Sequence, residues 1–193
     1  MPRMGVTHQR VVAEAAEVAD QVGLDGLTLA AVAKRLGISL PGLYKHIGSL
    51  DSLKRDLAVL GVRELTAAIS AAAVGRSGRD ALHAIADAYR SYAAAHPAVC
   101  AASVRAPDPA DAEHLAVAEA AGAVLFAVLD GYHLGGDDAI DAIRILRAAL
   151  QGYTSLEAAG GFGLPQSVDA TFARLVDSLD ATFTRWAARP GPS

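Results

Sequence analysis

The chain has 193 residues, of which 52% are hydrophobic, and its formal net charge is −4. This length suffices for a small domain joined to a larger one, each with its own buried core. We expect a cytoplasmic protein without a membrane span, because no uncharged run approaches roughly 18 apolar residues and the first residues contain no secretory signal. Cys100 is the only cysteine, which excludes an intrachain disulfide and a thiolate metal cluster.

Three helices are predicted near the N-terminus. The first spans His8–Val22, where apolar residues recur at helical spacing and a glycine follows. Thr28 is placed to cap a short helix over Leu29–Leu36, and Ser39 caps another over Leu40–His46. A three-residue turn containing glycine separates the last two, which predicts a helix-turn-helix whose second helix enters the major groove of DNA.

The rest of the chain is predicted to be helical as well. A long amphipathic helix begins at Leu50, and glycines and prolines separate the elements that follow. Five further helices are predicted, over Asp80–Ala95, Ala98–Arg105, Pro109–Asp130, Asp137–Ala158 and Ser167–Ala188. Alanine is abundant and no alternating strand pattern appears, so the expected fold is all-α with about nine helices. A three-helix head precedes a helical body.

The charge distribution points to a polyanion partner for one region only. Between Thr28 and Arg55 there are five basic residues and one acidic residue, although the whole chain is acidic. A basic patch on an acidic chain is typical of nucleic-acid binding. A solvated helix face is the alternative interpretation.

The run Leu27–Ile47, LTLAAVAKRLGISLPGLYKHI, resembles the helix-turn-helix of the TetR family of bacterial regulators. The family pattern has an apolar-Thr opening, an Ala-x-x-Leu-Gly-Val-Ser turn and a Leu-Tyr-x-His-Phe end. Ile47 stands in place of the phenylalanine. The resemblance covers about the first 65 residues. It implies a DNA-binding domain over residues 1–66 and a ligand-binding and dimerisation domain over residues 67–193.

The resemblance also implies DNA contacts. Thr28, Tyr44 and His46 would touch phosphates, although simple packing of the head is the alternative for Tyr44 and His46. The family usually has a lysine where this chain has Leu50, and Lys54 one turn later is the candidate replacement. The residues expected to face the groove are Ser39, Leu40, Pro41, Gly42 and Lys45.

The last two helices are the predicted dimer interface, because each carries an apolar stripe at three-to-four spacing. In the TetR family the last two helices of each subunit pair with those of its twin. The candidate interface residues are Ile143, Leu150, Phe172, Leu175, Leu179 and Phe183. Packing within one chain is the alternative for either stripe.

A small-molecule pocket is expected in the body, since the segment from Gly152 to Phe162 resembles a TetR subgroup named for a Trp-His-Gly motif. Leu150 and Gln151 stand where that motif has tryptophan and histidine. The candidate ligand-binding residues are Tyr89, Tyr92, Arg105, His114, Phe126, Arg144 and Gln151. For each of them the alternative is a residue on the surface, or a core residue whose polar groups are hydrogen-bonded within the chain.

Motifs of enzymes are absent from the sequence, including HExxH, GxSxG and a glycine-rich phosphate loop. We therefore expect no catalytic residue, no cofactor and no metal. The predicted function is that of a homodimeric repressor, released from a palindromic double-stranded operator by a small-molecule effector. The alternative is a helical small-molecule binder or enzyme with a vestigial DNA-binding head, which the absence of a lysine at Leu50 favours.

Overall fold

The computed structural model describes residues 5–187, and this part of the chain contains nine α-helices and no strand. The expected all-α fold is therefore confirmed. The helices are α1 (His8–Val22), α2 (Leu29–Leu36), α3 (Leu40–Leu43), α4 (Leu50–Ala73), α5 (Gly78–Ala95), α6 (Pro97–Ala102), α7 (Ala112–Asp130), α8 (Gly136–Ala158) and α9 (Val168–Ala187).

The predicted bounds of α1 and α2 agree with those in the structure. Helices α3 and α6 each end three residues before the predicted end. Helix α7 begins at Ala112 rather than at Pro109. The carboxylate of Asp108 accepts from the backbone N–H two residues later, at 2.8 Å, which holds that segment in a turn. The Asp111 carboxylate then accepts the backbone N–H of His114 at 3.0 Å and caps the helix. The predicted end of the last helix, at residue 188, lies outside the described residues.

Two compact units make up the fold. Unit 1 comprises the described residues up to Glu64 and Ala95–Ala118, and unit 2 comprises Leu65–Ala94 and the described residues from Glu119 onward. Helix α6 and the start of α7 thus belong to the same unit as the helix-turn-helix. The division into functional domains at residue 66 stays a prediction.

Unit 1 has its core between the helices of the head and the neighbouring α4 and α6. Fully buried side chains include Val11, Leu43 and Leu57. The carboxylate of Asp20 on α1 accepts the backbone N–H groups of Ala98 and Val99, at 2.9 and 3.3 Å. These are orphan donors at the start of α6, so a side chain far away in sequence caps this short helix.

Helices α4 and α6 approach closely at Gly61. A Cβ at this position would lie 2.7 Å from the backbone oxygen of Val99 and 3.2 Å from Cβ of Ser103. Real Cβ atoms do not come so near to a backbone atom, so only glycine permits this approach.

The core of unit 2 is formed by apolar side chains of α5, α7, α8 and α9. The largest of them include Phe183, Leu82, Ile85, Leu129 and Leu146, all less than 2% exposed. Tyr132 packs edge-on against Phe183, with ring centroids 5.8 Å apart. This aromatic contact links the end of α7 to α9.

Arg90 on α5 ties α8 and α9 together within unit 2. Its guanidinium donates two hydrogen bonds to the Glu157 carboxylate, one of them of 2.9 Å, and lies 2.8 Å from the Asp169 carboxylate. It also lies 4.8 Å from the centroid of the Phe172 ring, a cation–π distance. The hydrogen bonds from Arg90 lower the pKa of Glu157 below its ordinary value.

One described helix, Ala112–Asp130, is long and apolar enough to cross a membrane by length and composition, with a mean hydropathy of 1.6. The core helix of a soluble protein meets the same criterion.

Cys100 is buried, as expected for a small apolar side chain. Within residues 5–187 no group of three or more His, Cys, Asp or Glu side chains could hold a metal ion.

Candidate nucleic-acid interface

The helix-turn-helix of unit 1 is built by local capping. The Thr28 hydroxyl accepts the backbone N–H of Ala31 at 3.2 Å, and the Ser39 hydroxyl accepts that of Gly42 at 3.2 Å. Between the helices, Gly37 has φ of 68°, a left-handed conformation in which a side chain would be strained. These features fix where α2 ends and where α3 begins.

The recognition segment, defined here as residues 39–47, is anchored by two apolar side chains. Leu43 and Ile47 are 0% and 4% exposed and pack in the core of unit 1. Since the opposite side of this short segment carries Tyr44 and Lys45, burial of the anchors holds those two side chains outward. Tyr44 is 52% exposed.

All nine residues predicted to contact DNA have accessible surface. Six of them are exposed and three are half-buried. The exposed ones are Thr28, Ser39, Leu40, Pro41, Tyr44 and Lys45, and the half-buried ones are Gly42, His46 and Lys54. The exposure of Tyr44 argues against simple packing as its only role, because half of the side chain remains available for a phosphate.

The basic patch is smaller than the sequence suggests, because two of its five cations are neutralised. Arg35 pairs with Glu14 at 2.7 Å and also with Glu17 at 3.5 Å. Arg55 donates to Asp111, and its pKa is raised above the ordinary value chiefly by that bond. The three lysines of the region have no ion pair among the described residues, so they supply most of the positive charge: Lys34, Lys45 and Lys54.

The structure at the start of α4 shows what Leu50 contributes at the position where the family usually has a lysine. Ser49 and Ser52 bond reciprocally, each hydroxyl accepting the backbone N–H of the other at 3.0 Å, as in a capping box. Leu50 then packs against the core of unit 1. Lys54 lies one turn later on the same helix and is half-buried. Leucine at position 50 therefore contributes packing where a lysine would contribute charge.

The contacts made by two side chains of this region, His8 and Arg55, were not predicted from the sequence. His8 contacts the backbone oxygen of His46 and the carboxylate of Asp56, and Arg55 contacts Asp111 at the start of α7. These partners lie 38 to 56 residues apart in the chain. Spacing along a helix carries no signal for contacts of this range, and composition offers none either.

The candidate ligand-binding residues are divided between the two units. Arg105 and His114 lie in unit 1, and the other five belong to unit 2. Tyr89 donates its hydroxyl hydrogen to the Gln151 side-chain oxygen, which brings two of them together. The exposed members of the set are Arg105, Phe126 and Arg144, the last with 75% of its side chain accessible.

His114 differs from the other candidate ligand-binding residues. It is 5% exposed, and its Nε2 is a buried atom without a hydrogen-bond partner within residues 5–187. A buried polar atom of this kind is costly unless something pairs with it.

A surface pocket of about 350 Å³ lies in unit 2, and none of these candidates lines it. Tyr132 donates to the Asp180 carboxylate at 2.6 Å on its wall. The burial of Tyr132 and its bond to Asp180 raise the pKa of its hydroxyl. The lining residues are Gly78, Arg79, Gly131, Tyr132, His133, Asp180 and Thr184.

The predicted dimer stripe lies largely in the core of unit 2, which is the alternative left open by the sequence. Four of the six side chains are at most 6% exposed: Leu150, Phe172, Leu179 and Phe183. Ile143 and Leu175 are partly buried against the same core. The exposed apolar side chains of α8 lie elsewhere, at Ile140, Ile145 and Leu156.

Two family descriptions match the chain. Residues 11–57 match the bacterial regulatory proteins of the tetR family, and residues 82–179 match a tetracyclin repressor-like C-terminal domain. An uncharacterized HTH-type transcriptional regulator of Mycobacterium tuberculosis is 33% identical over 96% of this chain and 85% of its own length.

Solved structures share the fold. A protein of unknown function from Rhodococcus sp. RHA1 is 27% identical, with a TM-score of 0.75 and coverage of 98% of this chain and 100% of its own. A variant TetR from Acinetobacter baumannii, in complex with minocycline, has a TM-score of 0.73 at 24% identity, covering 95% of this chain and 99% of its own. The match to the second structure concerns the fold alone.

Proposed function

The chain belongs to the TetR family of bacterial regulators and is a DNA-binding regulator of transcription, and from this premise we propose that it is a homodimeric repressor released from its operator by a small molecule. TetR-family regulators act as dimers on DNA operators and respond to small-molecule effectors. They are in general not enzymes, and we propose that this chain has no catalytic activity and acts in the cytoplasm.

The observation that supports operator recognition most directly is the outward display of Tyr44 and Lys45 on a segment anchored by buried Leu43 and Ile47. Lys45 and Ser39 can hydrogen-bond a base edge, and Leu40 or Pro41 can pack against a thymine methyl group. Thr28, Tyr44, His46 and Lys54 would contact phosphates. Gly42 allows close approach of the segment to the groove.

Substituting Tyr44 and Lys45 together by alanine tests this interface. We expect binding to a DNA duplex selected from a random library with the wild-type protein to weaken by about 100-fold, since one phosphate contact and one groove contact are lost. Both side chains are exposed, so the thermal midpoint should stay within about 2 °C. A mobility-shift titration and a thermal scan by circular dichroism measure the two effects.

The control is Arg76→Ala, which removes an exposed cation of unit 2 that lies outside α8 and α9. This variant should bind the selected duplex as the wild type does. If the Tyr44 and Lys45 variant also binds unchanged, the helix-turn-helix does not read DNA, and a small-molecule binder with a vestigial head becomes the better account.

We propose that the dimer forms through the exposed face of α8, together with α9. Ile145 and Leu156 are 39% and 53% exposed there, and small Ala148 and Gly152 lie between them at one-turn spacing. An apolar stripe with small residues at its centre lets two helices approach closely. A two-fold dimer would place two recognition segments about 34 Å apart on a palindromic operator.

Charge substitution at Ile145 and Leu156 tests the dimer face. Changing both to glutamate is expected to convert the dimer into a monomer at micromolar concentration, because a partner would have to bury two unpaired charges. Analytical ultracentrifugation measures the mass, and Val74→Glu, which alters a side chain that is 74% exposed outside α8, is the control. A double variant that remains dimeric would place the interface elsewhere.

We propose that an effector controls DNA binding, because regulators of this family respond to small molecules and because the helical body contains polar side chains that could bind one. His114, with its buried unpartnered Nε2, and the Tyr89–Gln151 pair are the members of the predicted set with the strongest structural support. An effector releases the operator only if it binds one conformation more tightly than the other, and such coupling is typically about 1–3 kcal/mol. Membership of the Trp-His-Gly subgroup stays a prediction.

A further inference from the structure

His8, the first residue of α1, faces two hydrogen-bond acceptors on other parts of unit 1. Its Nδ1 lies 3.1 Å from the backbone oxygen of His46, and its Nε2 lies 3.3 Å from Oδ2 of Asp56 on α4. A carbonyl and a carboxylate can only accept, so a ring nitrogen of His8 that carries hydrogen donates to the acceptor it faces. The two distances place the ring between the end of the recognition segment and α4.

The His46 carbonyl lies at the end of the recognition segment. This carbonyl belongs to the turn that follows α3, where a backbone oxygen without a partner in a helix needs a donor from elsewhere. The His8 ring can supply that donor from α1. His8 thereby holds the recognition segment from α1.

The second partner of His8 is itself held firmly. The Asp56 side chain is 12% exposed, and its other oxygen accepts from Arg55 at 2.9 Å. Arg55 donates to Asp111 from Nε at 2.6 Å, with a second bond to the same carboxylate, and to Glu113 at 2.8 Å. The bond from Arg55 and the backbone N–H of His114 lower the pKa of Asp111, so this carboxylate stays charged.

We propose that His8 is a positioning residue for DNA recognition, which fixes the end of the recognition segment against α4 through the His46 carbonyl and Asp56. Tyr44 and Lys45 lie one and two residues before His46, so movement of this end displaces the side chains that meet the DNA. The inference rests on the proposed function. It adds to the proposed function one residue, His8, which lies outside the helix-turn-helix and affects DNA recognition through the groups it contacts.

The test is a double-mutant cycle with His8→Leu and Asp56→Ala. Affinity is measured by mobility shift for a duplex selected from a random library with the wild-type protein, and for a scrambled duplex of equal length. His8→Leu is expected to weaken binding of the selected duplex about tenfold, and binding of the scrambled duplex less than twofold. Because Asp56 acts through His8, Asp56→Ala introduced alone should weaken binding of the selected duplex. Introduced into the His8→Leu protein, it should cause little further loss of affinity.

The matched control is His83→Leu, which removes a histidine that lies 3.0 Å from Asp177 within unit 2. It should leave both affinities unchanged. Circular dichroism confirms that each variant is folded at the assay temperature, and Asp56→Ala carries the test by itself if His8→Leu does not fold.

Three results would overturn the inference. Unchanged affinity of His8→Leu for the selected duplex would exclude a positioning role, and so would equal losses of affinity on both duplexes. Additive losses in the cycle would mean that His8 contacts DNA itself rather than through Asp56. If the wild-type protein selects no sequence from the library, the proposed function fails, and the positioning role fails with it.

Discussion

Replacing Gly61 by valine is expected to lower the free energy of unfolding by about 3 kcal/mol. The Cβ of any larger residue would lie 2.7 Å from the backbone oxygen of Val99 and 3.0 Å from its Cγ1. The first of these atoms belongs to the main chain of α6, whose start is held by the Asp20 carboxylate. Helix α6 cannot move away without losing that cap, so the added side chain must strain unit 1.

Urea unfolding followed by circular dichroism measures this effect, at one protein concentration because a dimer makes stability depend on concentration. The control is Gly122→Ala on α7, where a Cβ would meet nothing within 4 Å. That change should raise the free energy of unfolding by about 0.5–1 kcal/mol, because alanine is the better helix former. A Gly61→Val protein as stable as the wild type would show that α4 and α6 lie further apart.

Replacing Arg90 by leucine should cost about 2–3 kcal/mol of stability at neutral pH. The substitution keeps most of the aliphatic contact but removes the paired hydrogen bonds to Glu157, the bond to Asp169 and the cation over Phe172. The Glu157 side chain is only 32% exposed, so its charge is left partly buried without its partner.

The pH dependence of the Arg90 variant follows from the pKa of Glu157. Arg90 lowers that pKa in the folded state, so the pair stabilises the wild type above the pKa of the unfolded glutamate, about 4.3. This stability is lost as the pH falls through the lower folded-state pKa. The difference between the wild type and Arg90→Leu should therefore be largest at neutral pH and shrink below about pH 4.

Thermal or urea unfolding at several pH values measures the difference, and Arg144→Leu serves as the control. Arg144 makes one ion pair, with Asp141 at 3.2 Å, and its side chain is 75% exposed. Its loss should change stability by about 0.5 kcal/mol or less at every pH. A constant cost for Arg90→Leu across the pH range would mean that packing, rather than the ion pair, carries the effect.

Local signals in the sequence predicted the head well. Thr28, Ser39 and Gly37 act on backbone groups within three residues of themselves, so their types and spacing indicate where α2 and α3 begin and end. The start of α7 was predicted three residues too early, because a proline after Asp108 is a common helix start. Asp111 caps that helix while Arg55, far away in sequence, bonds its carboxylate.

The apolar stripes of α8 and α9 show a second limit of sequence analysis. Periodicity identifies which face of a helix is apolar, but the same pattern arises whether that face packs in its own chain or against a second copy. Phe172 and Phe183 fill the core of unit 2, whereas Ile145 and Leu156 lie exposed on α8. The candidate ligand-binding residues were chosen as polar and aromatic groups on helices expected to line a cavity, and the sequence does not show that Arg105 and His114 belong to unit 1.

Sequence-specific DNA binding by the wild-type protein is the claim on which this account rests, and a mobility shift with a library-selected duplex at two salt concentrations tests it most directly. We expect the selected duplex to bind at least about 1,000-fold more tightly than random DNA, with both affinities falling as salt rises because phosphate contacts release counterions. Binding that is equally strong for selected and random duplexes, or absent at low salt from a folded protein, would contradict the account.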